Sequence, residues 1–211
     1  KVDKEKISYF ESSNLEFEKV HVKTPDNLRT LIKNLTLKLN EKDRLMIIGE
    51  SGIGKSSLLR SIAGLWDFGS GIIKKPNIIN TMFLPQQPYM LLGTLREQVC
   101  YPNSKDEYSF DEIEQALSQV GLEQLVKDHN VNEIKDWTRV LSVGEQQRLA
   151  FSRILINKPE FVILDEGTSA LDSDNELKLY NILDGLKISY VSVGHRNEIK
   201  QFHNIILMML P

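Results

Sequence analysis

The sequence predicts an α/β fold in which a mostly parallel sheet is flanked by helices, with an antiparallel β layer and an inserted helical subdomain. Two runs, residues 161–164 and 188–193, are too apolar to face water on either side, which suits strands of a buried parallel sheet. A third apolar run, residues 45–48, leads into a glycine-rich loop and then into a segment with helical spacing. Between the core strands the chain becomes helical in character, which predicts an insertion of about residues 87–157.

The N-terminal part of the chain predicts the antiparallel layer. Residues 1–14 are polar and are interpreted as a tether. Residues 15–22 alternate loosely between apolar and polar side chains, as a half-exposed strand does. Turn-forming residues at 24–27 separate this strand from a second, partly solvated one over residues 31–39.

The remaining elements follow in chain order. Residues 71–73 and 78–84 are strand-like. Apolar residues at helical spacing predict a helix over residues 110–120, whose first turn is acidic, as the helix dipole favours. A second helix is predicted over residues 144–156.

Length, charge and cysteine content limit the classes of protein. The 211 residues suffice for one large domain with an inserted subdomain, so we predict a single domain over residues 1–211. A net charge of −3 gives no basic field, so no nucleic-acid partner is expected. The single cysteine, Cys100, excludes an internal disulfide and is typical of a reducing compartment.

The two ends of the chain suggest a fragment. No apolar run approaches the ~20 residues that a membrane-spanning helix needs. The chain begins without Met and stops inside the apolar run 205–210. We therefore expect a longer protein, whose missing part would hold any transmembrane segments.

The glycine-rich loop predicts a phosphate-binding site. It fits the pattern G-x-x-x-x-G-K-[ST], and its residues are Gly49, Glu50, Ser51, Gly52, Ile53, Gly54, Lys55, Ser56 and Ser57. Glycines allow successive backbone N–H groups to turn towards an anion, and the N-terminus of the following helix adds partial positive charge. Lys55 would contact the β and γ phosphates of a nucleotide, and the Ser56 hydroxyl would bind Mg²⁺.

Two acidic residues end the apolar run 161–164. Ligands of open α/β sheets bind at the carboxyl ends of the strands, so Asp165 is predicted to hold Mg²⁺, directly or through water, opposite Ser56. Glu166, one residue further, would act as general base on a water directed at the γ phosphate. An apolar strand that ends in acids is a weak signal alone, and the glycine loop strengthens it.

A third motif is Leu141-Ser142-Val143-Gly144-Glu145-Gln146-Gln147-Arg148. On its own it fits an ordinary helix start, with Ser142 as N-cap and Glu145 completing a capping box. It also fits an anion site in which the Ser142 hydroxyl and the Gly144 amide donate hydrogen bonds. Lying about twenty residues before the acidic strand, it resembles the signature motif of ATP-binding cassette (ABC) ATPases.

Further elements match this family in order and spacing. Gln86 resembles the glutamine that contacts Mg²⁺ and couples to the transmembrane part, with Gln87 as the alternative. Residues 169–172, which end in Asp172, resemble the loop that communicates across a dimer, and His195 resembles the histidine that contacts the γ phosphate. The resemblance covers nearly the whole chain. It implies a P-loop NTPase core, ATP and Mg²⁺ as cofactors, and ATP hydrolysis. It also implies a head-to-tail dimer with a second nucleotide-binding domain, in which each ATP lies between one glycine loop and the other chain's signature.

A narrower resemblance is to subfamily D of the ABC transporters. It rests on residues 64–66, 86–90, 93–99 and 101–102 and on Trp137. This group includes peroxisomal fatty-acyl transporters and related bacterial half-transporters. The resemblance implies a transmembrane domain on the same polypeptide, with the nucleotide-binding domain at the cytoplasmic face of a membrane. Closure and reopening of the dimer would then power transport.

Departures from the family pattern leave two alternatives open. Thr24 stands where many cassettes have an aromatic residue that stacks on adenine. Val143 stands where a glycine is usual, and Glu145 replaces a common glutamine. One alternative is a soluble ABC ATPase of the DNA repair or translation type, against which the charge and the cysteine count argue. The other is a cassette that binds ATP without hydrolysing it.

Overall fold

A computed structural model describes residues 5–26 and 28–210 of the chain. Its contacts divide the chain into two units. The first unit contains the chain up to Phe83, Glu160–Asp165 and the chain from Lys187 onward, and the second contains Leu84–Pro159 and Glu166–Leu186. The bounds predicted for the helical subdomain stay a prediction.

Regular elements occupy most of the described chain. The strands are β1 (Ser8–Glu11), β2 (Leu15–Lys23), β3 (Thr30–Leu39), β4 (Arg44–Ile48), β5 (Gly69–Lys75), β6 (Thr81–Leu84), β7 (Leu92–Gly93), β8 (Lys135–Asp136), β9 (Phe161–Asp165), β10 (Ser189–Val193) and β11 (Ile205–Met208). The α-helices are α1 (Lys55–Ala63), α2 (Leu95–Cys100), α3 (Phe110–Gln119), α4 (Glu123–Asp128), α5 (Trp137–Val140), α6 (Val143–Asn157) and α7 (Ser173–Leu186). Short 3₁₀ turns lie at Ile78–Asn80, Lys105–Glu107 and Asn197–Phe202.

The first unit contains a mixed sheet with the strand order β1-β5-β2-β3. Strands β2 and β3 are antiparallel, as predicted, and β2 is also antiparallel to β5. The edge strand β1 was not predicted, because residues 1–14 were interpreted as a tether. It runs parallel to β5, Ile7 before it is buried, and the Tyr9 hydroxyl donates to the Trp66 carbonyl. The tether interpretation is therefore wrong for Ser8–Glu11. Pairing with β5, burial of Ile7 and the hydrogen bond of Tyr9 hold this strand in place although most of its neighbours in the sequence are polar. Residues 1–4 lie outside the described residues.

The second sheet of the first unit has the order β11-β4-β10-β9-β6. Its pairings β11–β4, β4–β10 and β10–β9 are parallel, which confirms the predicted parallel sheet. All five residues of β9 are buried, as the absence of a polar face in the sequence predicts. The loops that follow β4, β9 and β10 therefore leave the same edge of the sheet.

Helix α1 contacts strands of both sheets, β9 and β10 in the parallel one and β2 in the mixed one. Leu58, Leu59 and Ile62 form its core-facing side and are fully buried. Burial of each such side chain contributes about 1.5–3 kcal/mol. This packing fixes the helix whose N-terminus ends the glycine loop.

The second unit is mainly helical, and α6 contacts both α2 and α3. The helices predicted over residues 110–120 and 144–156 are confirmed as α3 and α6. Helix α7 was not predicted, although its buried Leu179, Tyr180 and Leu183 have helical spacing. Among the residues that the structure covers, no helix is both long enough and apolar enough to span a membrane.

The strand predicted over residues 78–84 is wrong in its first half. Ile78–Asn80 forms a 3₁₀ turn, and only Thr81–Leu84 is extended. The Asn77 side chain accepts a hydrogen bond from the Ile79 N–H at 3.0 Å. Such local hydrogen bonds compete with strand pairing, and for this reason the apolar residues at 78 and 79 do not form a strand.

Candidate nucleotide-binding site

The glycine loop connects β4 to α1 in the first unit, as the sequence predicts. Gly54 is the N-cap of α1 and has a φ of 112°, which L side chains rarely adopt. A Cβ at this position would also lie 3.1 Å from the Leu31 Cβ. Because glycine supplies no capping side chain, the first N–H groups of α1 receive no side-chain cap from it. This helix start suits the binding of a phosphate.

Lys55 is the first residue of α1, and only 5% of it is exposed. Its Nζ donates hydrogen bonds to the carbonyls of Gly49 and Glu50, both at 2.8 Å. The loop thus folds around the ammonium group, which places a positive charge at its centre. A buried lysine with this placement suits a phosphate anion.

Two of the three residues predicted to bind Mg²⁺, Ser56 and Asp165, contact each other. The Ser56 hydroxyl donates to Asp165 Oδ1 at 2.8 Å, and Asp165 is buried at the end of β9. Among the described residues no group of three His, Cys, Asp or Glu side chains could hold a metal ion. Mg²⁺, however, is usually bound by one or two protein oxygens together with phosphates and water, so the Ser56–Asp165 pair fits it.

Glu166 follows Asp165 and begins the turn that leads into α7. Its φ is 52°, an uncommon left-handed conformation for a residue with a side chain. Its carbonyl accepts a hydrogen bond from the Ser169 N–H at 3.0 Å, which closes the turn. Five other described non-glycine residues also have a positive φ, namely Lys19, Asn34, Lys42, Lys158 and Lys187. This conformation therefore does not by itself mark Glu166 as functional.

His195 follows β10 in the first unit, two residues beyond the strand, and its side chain is exposed. His203, which was not predicted as a site residue, lies between the 3₁₀ turn Asn197–Phe202 and β11. The His203 ring contacts Ser192 Oγ at 2.6 Å and the Ile199 carbonyl at 2.8 Å. Burial lowers the pKa of His203 to about 4, so its neutral form is favoured.

The signature segment forms the start of α6 in the second unit. Ser142 is the N-cap, and its N–H and hydroxyl donate to Glu145 Oε2 at 2.8 and 2.7 Å. The Glu145 N–H donates back to the Ser142 hydroxyl, so the predicted capping box is present. The bond from Ser142 lowers the pKa of Glu145. Val143, in the same turn, is 55% exposed. The alternative role of this turn as an anion site stays a prediction.

The side chains of Gln86 and Gln87 are both exposed, so burial does not distinguish between them. Asp172 is held by Asn175, whose N–H and side-chain amide donate to the carboxylate at 2.9 and 2.7 Å. These bonds lower the pKa of Asp172 and begin α7. Gln147, which the sequence did not single out, contacts both the Gln86 segment and the loop before Asp172.

Thr24 lies at the turn between β2 and β3. Its hydroxyl accepts from the Arg29 N–H at 3.1 Å, and its own N–H donates to the Arg29 carbonyl at 2.9 Å. Thr24 therefore closes this turn. Asn27, within the predicted turn, lies outside the described residues.

The predicted site residues fall in both units. The first unit holds the glycine loop, Asp165 and His195, and brings Ser56 and Asp165 into contact. The second unit holds Gln86, the signature turn, Glu166 and Asp172.

Comparison with known proteins identifies the family. A family model described as "ABC transporter" matches residues 32–169, which is more than half of the chain. The chain belongs to the ABC transporter family. It is an ABC transporter ATP-binding domain with a P-loop NTPase fold.

Individual relatives agree with this assignment. An uncharacterized ABC transporter ATP-binding protein of Synechocystis is 46% identical over 88% of the chain and 28% of its own length. The chloroplastic ABC transporter D family member 2 of Arabidopsis thaliana is 37% identical over 92% of the chain and 34% of its length. The chain thus spans about a third of these relatives.

A solved structure supports the fold. A bacterial Atm1-family ABC exporter with ATP bound matches with a TM-score of 0.82 and 22% identity, over 93% of the chain and 37% of the exporter chain. At this identity the likeness concerns the fold alone.

Proposed function

We propose that this ATP-binding domain hydrolyses ATP with Mg²⁺ and thereby powers transport by a larger membrane protein. The observation that carries the proposal is the contact between Ser56 and Asp165 at 2.8 Å, beside a buried Lys55 in the glycine loop. This arrangement combines a cation for phosphate with a pair of oxygen ligands for a metal. Relatives named as ABC transporters support the transport role.

The residues of the chain have separate roles in this proposal. Lys55 binds the β and γ phosphates, and the backbone N–H groups of the loop and of α1 orient them. Glu166 orients the attacking water and accepts its proton, and His195 donates a hydrogen bond to the γ phosphate. Gln86 lies near the Mg²⁺ ion in this proposal.

Mg²⁺ would be held by Ser56 and Asp165, with Gln86 as a further ligand. When bound, the ion neutralises negative charge on the β and γ phosphates. The two residues in contact are the ones that fit it best.

A second copy of the domain is proposed to complete the site. Its Ser142 and Gly144 would donate to the γ phosphate of the first chain's ATP, with Glu145 orienting Ser142 and Asp172 lying in the loop between the chains. A transmembrane domain, proposed on the same polypeptide, would place this domain at the cytoplasmic face. Relatives named as ABC transporters, of whose length the chain spans about a third, support a further domain on the same polypeptide.

A second candidate function, ATP binding without hydrolysis, is favoured by one observation. Val143, in place of a glycine, exposes a β-branched side chain in the turn that would meet the partner's nucleotide. The complete set formed by Lys55, Asp165, Glu166 and His195 argues for hydrolysis instead.

One experiment on the full-length protein distinguishes the two candidate functions, ATP hydrolysis and ATP binding without hydrolysis. ATP binding at equilibrium and phosphate release at steady state are measured on the same preparation with Mg²⁺. We expect binding and sustained release. Binding without release would establish the second candidate, and the absence of both would contradict each of them.

A further inference from the structure

Gln147 lies in α6, and its side-chain amide joins two segments of the second unit. Its Nε2 donates to the Gln86 carbonyl at 2.9 Å, and its Oε1 accepts from the Ala170 N–H at 2.9 Å. A longer contact of 3.4 Å joins Nε2 to Ser169 Oγ. The residue is only 1% exposed. One buried amide therefore bonds to both segments.

Because the Gln147 amide is buried, it constrains the two backbone segments to which it is hydrogen-bonded. A buried donor or acceptor that loses its partner is costly, so both ends of the side chain stay bonded. The carbonyl of Gln86 and the N–H of Ala170 are consequently held at a separation set by one planar group. Neither backbone segment can shift alone without breaking a hydrogen bond to the buried Gln147 side chain.

The loop that Gln147 holds is itself well defined. The Ser169 N–H donates to the Glu166 carbonyl at 3.0 Å, and buried Thr168 donates its hydroxyl to Glu176 at 2.6 Å. A Cβ at Gly144 would lie 3.4 Å from the Ala170 carbonyl, so α6 also approaches this loop closely. A bond at Ala170 thus constrains the turn as far as Glu166.

We propose that Gln147 is a positioning residue, which fixes the Gln86 segment relative to the loop that begins at Glu166. It contacts no nucleotide in this role and sets the rate of hydrolysis through the two segments that it bonds. The inference rests on the proposed function, in which Gln86 and Glu166 act at the γ phosphate.

Two substitutions test the donor and the acceptor hydrogen bond of the Gln147 amide separately. Q147M keeps the length of the side chain and removes both hydrogen bonds. Q147E keeps the acceptor for the Ala170 N–H and loses the donor to the Gln86 carbonyl. The matched control is Q98M, because Gln98 is fully buried and likewise donates to a backbone carbonyl and accepts from an N–H, both of Leu91.

Turnover and local opening are measured on the full-length variants. Hydrogen exchange in Q147M should rise in residues 84–90 and in residues 166–172, whereas in Q147E it should rise only in 84–90. Because small misplacements of catalytic groups are costly, kcat for ATP should fall about 10- to 100-fold in both variants. The KM for ATP should change less than about threefold, since phosphate binding is not affected. Q98M should lose comparable thermal stability but keep kcat within about twofold.

The outcomes distinguish this inference from the proposed function. Wild-type protein that releases no phosphate would overturn the proposed function, and the exchange data would still decide whether Gln147 holds the two segments. Active wild-type protein with an unchanged kcat in Q147M would overturn the positioning role alone. An equal fall of kcat in Q98M would also overturn it, because general destabilisation would then explain the effect.

Discussion

The Ser56 hydroxyl and the Asp165 carboxylate, 109 positions apart in the chain, form a hydrogen bond of 2.8 Å. Ser56 belongs to the first turn of α1, and Asp165 ends β9, which contacts that helix. Parallel pairing of β9 with β10, and of β10 with β4, brings the end of β9 to the edge where the glycine loop leaves the sheet. The topology of the sheet thus brings together Ser56 and Asp165, two of the residues proposed to hold Mg²⁺.

Asp165→Asn should weaken the dependence of ATP binding on Mg²⁺. Asparagine retains an oxygen that accepts from Ser56 but removes the negative charge that attracts the cation. We expect the Mg²⁺ concentration for half-maximal ATP binding to rise about tenfold. Titration of Mg²⁺ at fixed ATP measures this concentration. The control is Asp111→Asn, because Asp111 is an exposed acid in α3. An unchanged midpoint would remove Asp165 from the metal site.

Lys55→Ala should reduce ATP affinity about tenfold or more. The buried ammonium is the group proposed to pair with the phosphates, and a charged hydrogen bond contributes about 1.5–3 kcal/mol. Equilibrium binding of ATP provides the measurement. The exposed Lys200 offers a matched control, and Lys200→Ala should bind ATP as the wild type does. Equal affinity in both variants would contradict the role of Lys55.

Ser142→Ala should destabilise the domain by about 1 kcal/mol, because it removes the side-chain cap of α6. For a domain of this size that corresponds to a fall in Tm of about 2–4 °C. Ser142→Thr keeps the hydroxyl and should recover most of the loss. Thermal unfolding of the two variants tests the cap, and an equal loss in Ser142→Thr would argue against it.

The free energy of unfolding should decrease as the pH is lowered, because His203 titrates. Its folded-state pKa of about 4 lies below the ordinary histidine value of 6.5, because burial disfavours the charged ring. A depressed pKa stabilises the fold above pH 6.5, and this contribution is lost as the pH falls from 6.5 to 4. We expect a loss of about 3 kcal/mol from this residue.

Denaturant unfolding at several pH values measures the effect of His203. His203→Gln should be less stable than the wild type at pH 7 and should have a shallower pH dependence between 6.5 and 4. Carboxylates that titrate in the same range affect both proteins alike, so the difference in slope is the readout. Equal slopes would show that His203 does not titrate in this window.

The sequence predicted those parts of the site that depend on short, contiguous patterns. Lys55 and Asp165 were identified because a glycine loop and an apolar strand that ends in acids are local features. The capping box of Ser142 and Glu145 was predicted for the same reason. The parallel sheet followed from apolar runs that have no polar face.

Contacts between distant positions could not be predicted in this way. Gln147 bonds to Gln86, 61 positions away, and to Ala170, 23 positions away. No local pattern marks such an amide, because its role arises from the packing of α6. The edge strand β1 was missed similarly, since its pairing with β5 outweighs its polar composition.

Phosphate release from ATP by Glu166→Gln and by the wild type, measured side by side with Mg²⁺, tests the central claim most directly. Glutamine keeps the size of the side chain but cannot accept the proton of the attacking water. We expect ATP binding to persist and turnover to fall about 100-fold or more. Turnover equal to that of the wild type would contradict the assignment of Glu166 as the base.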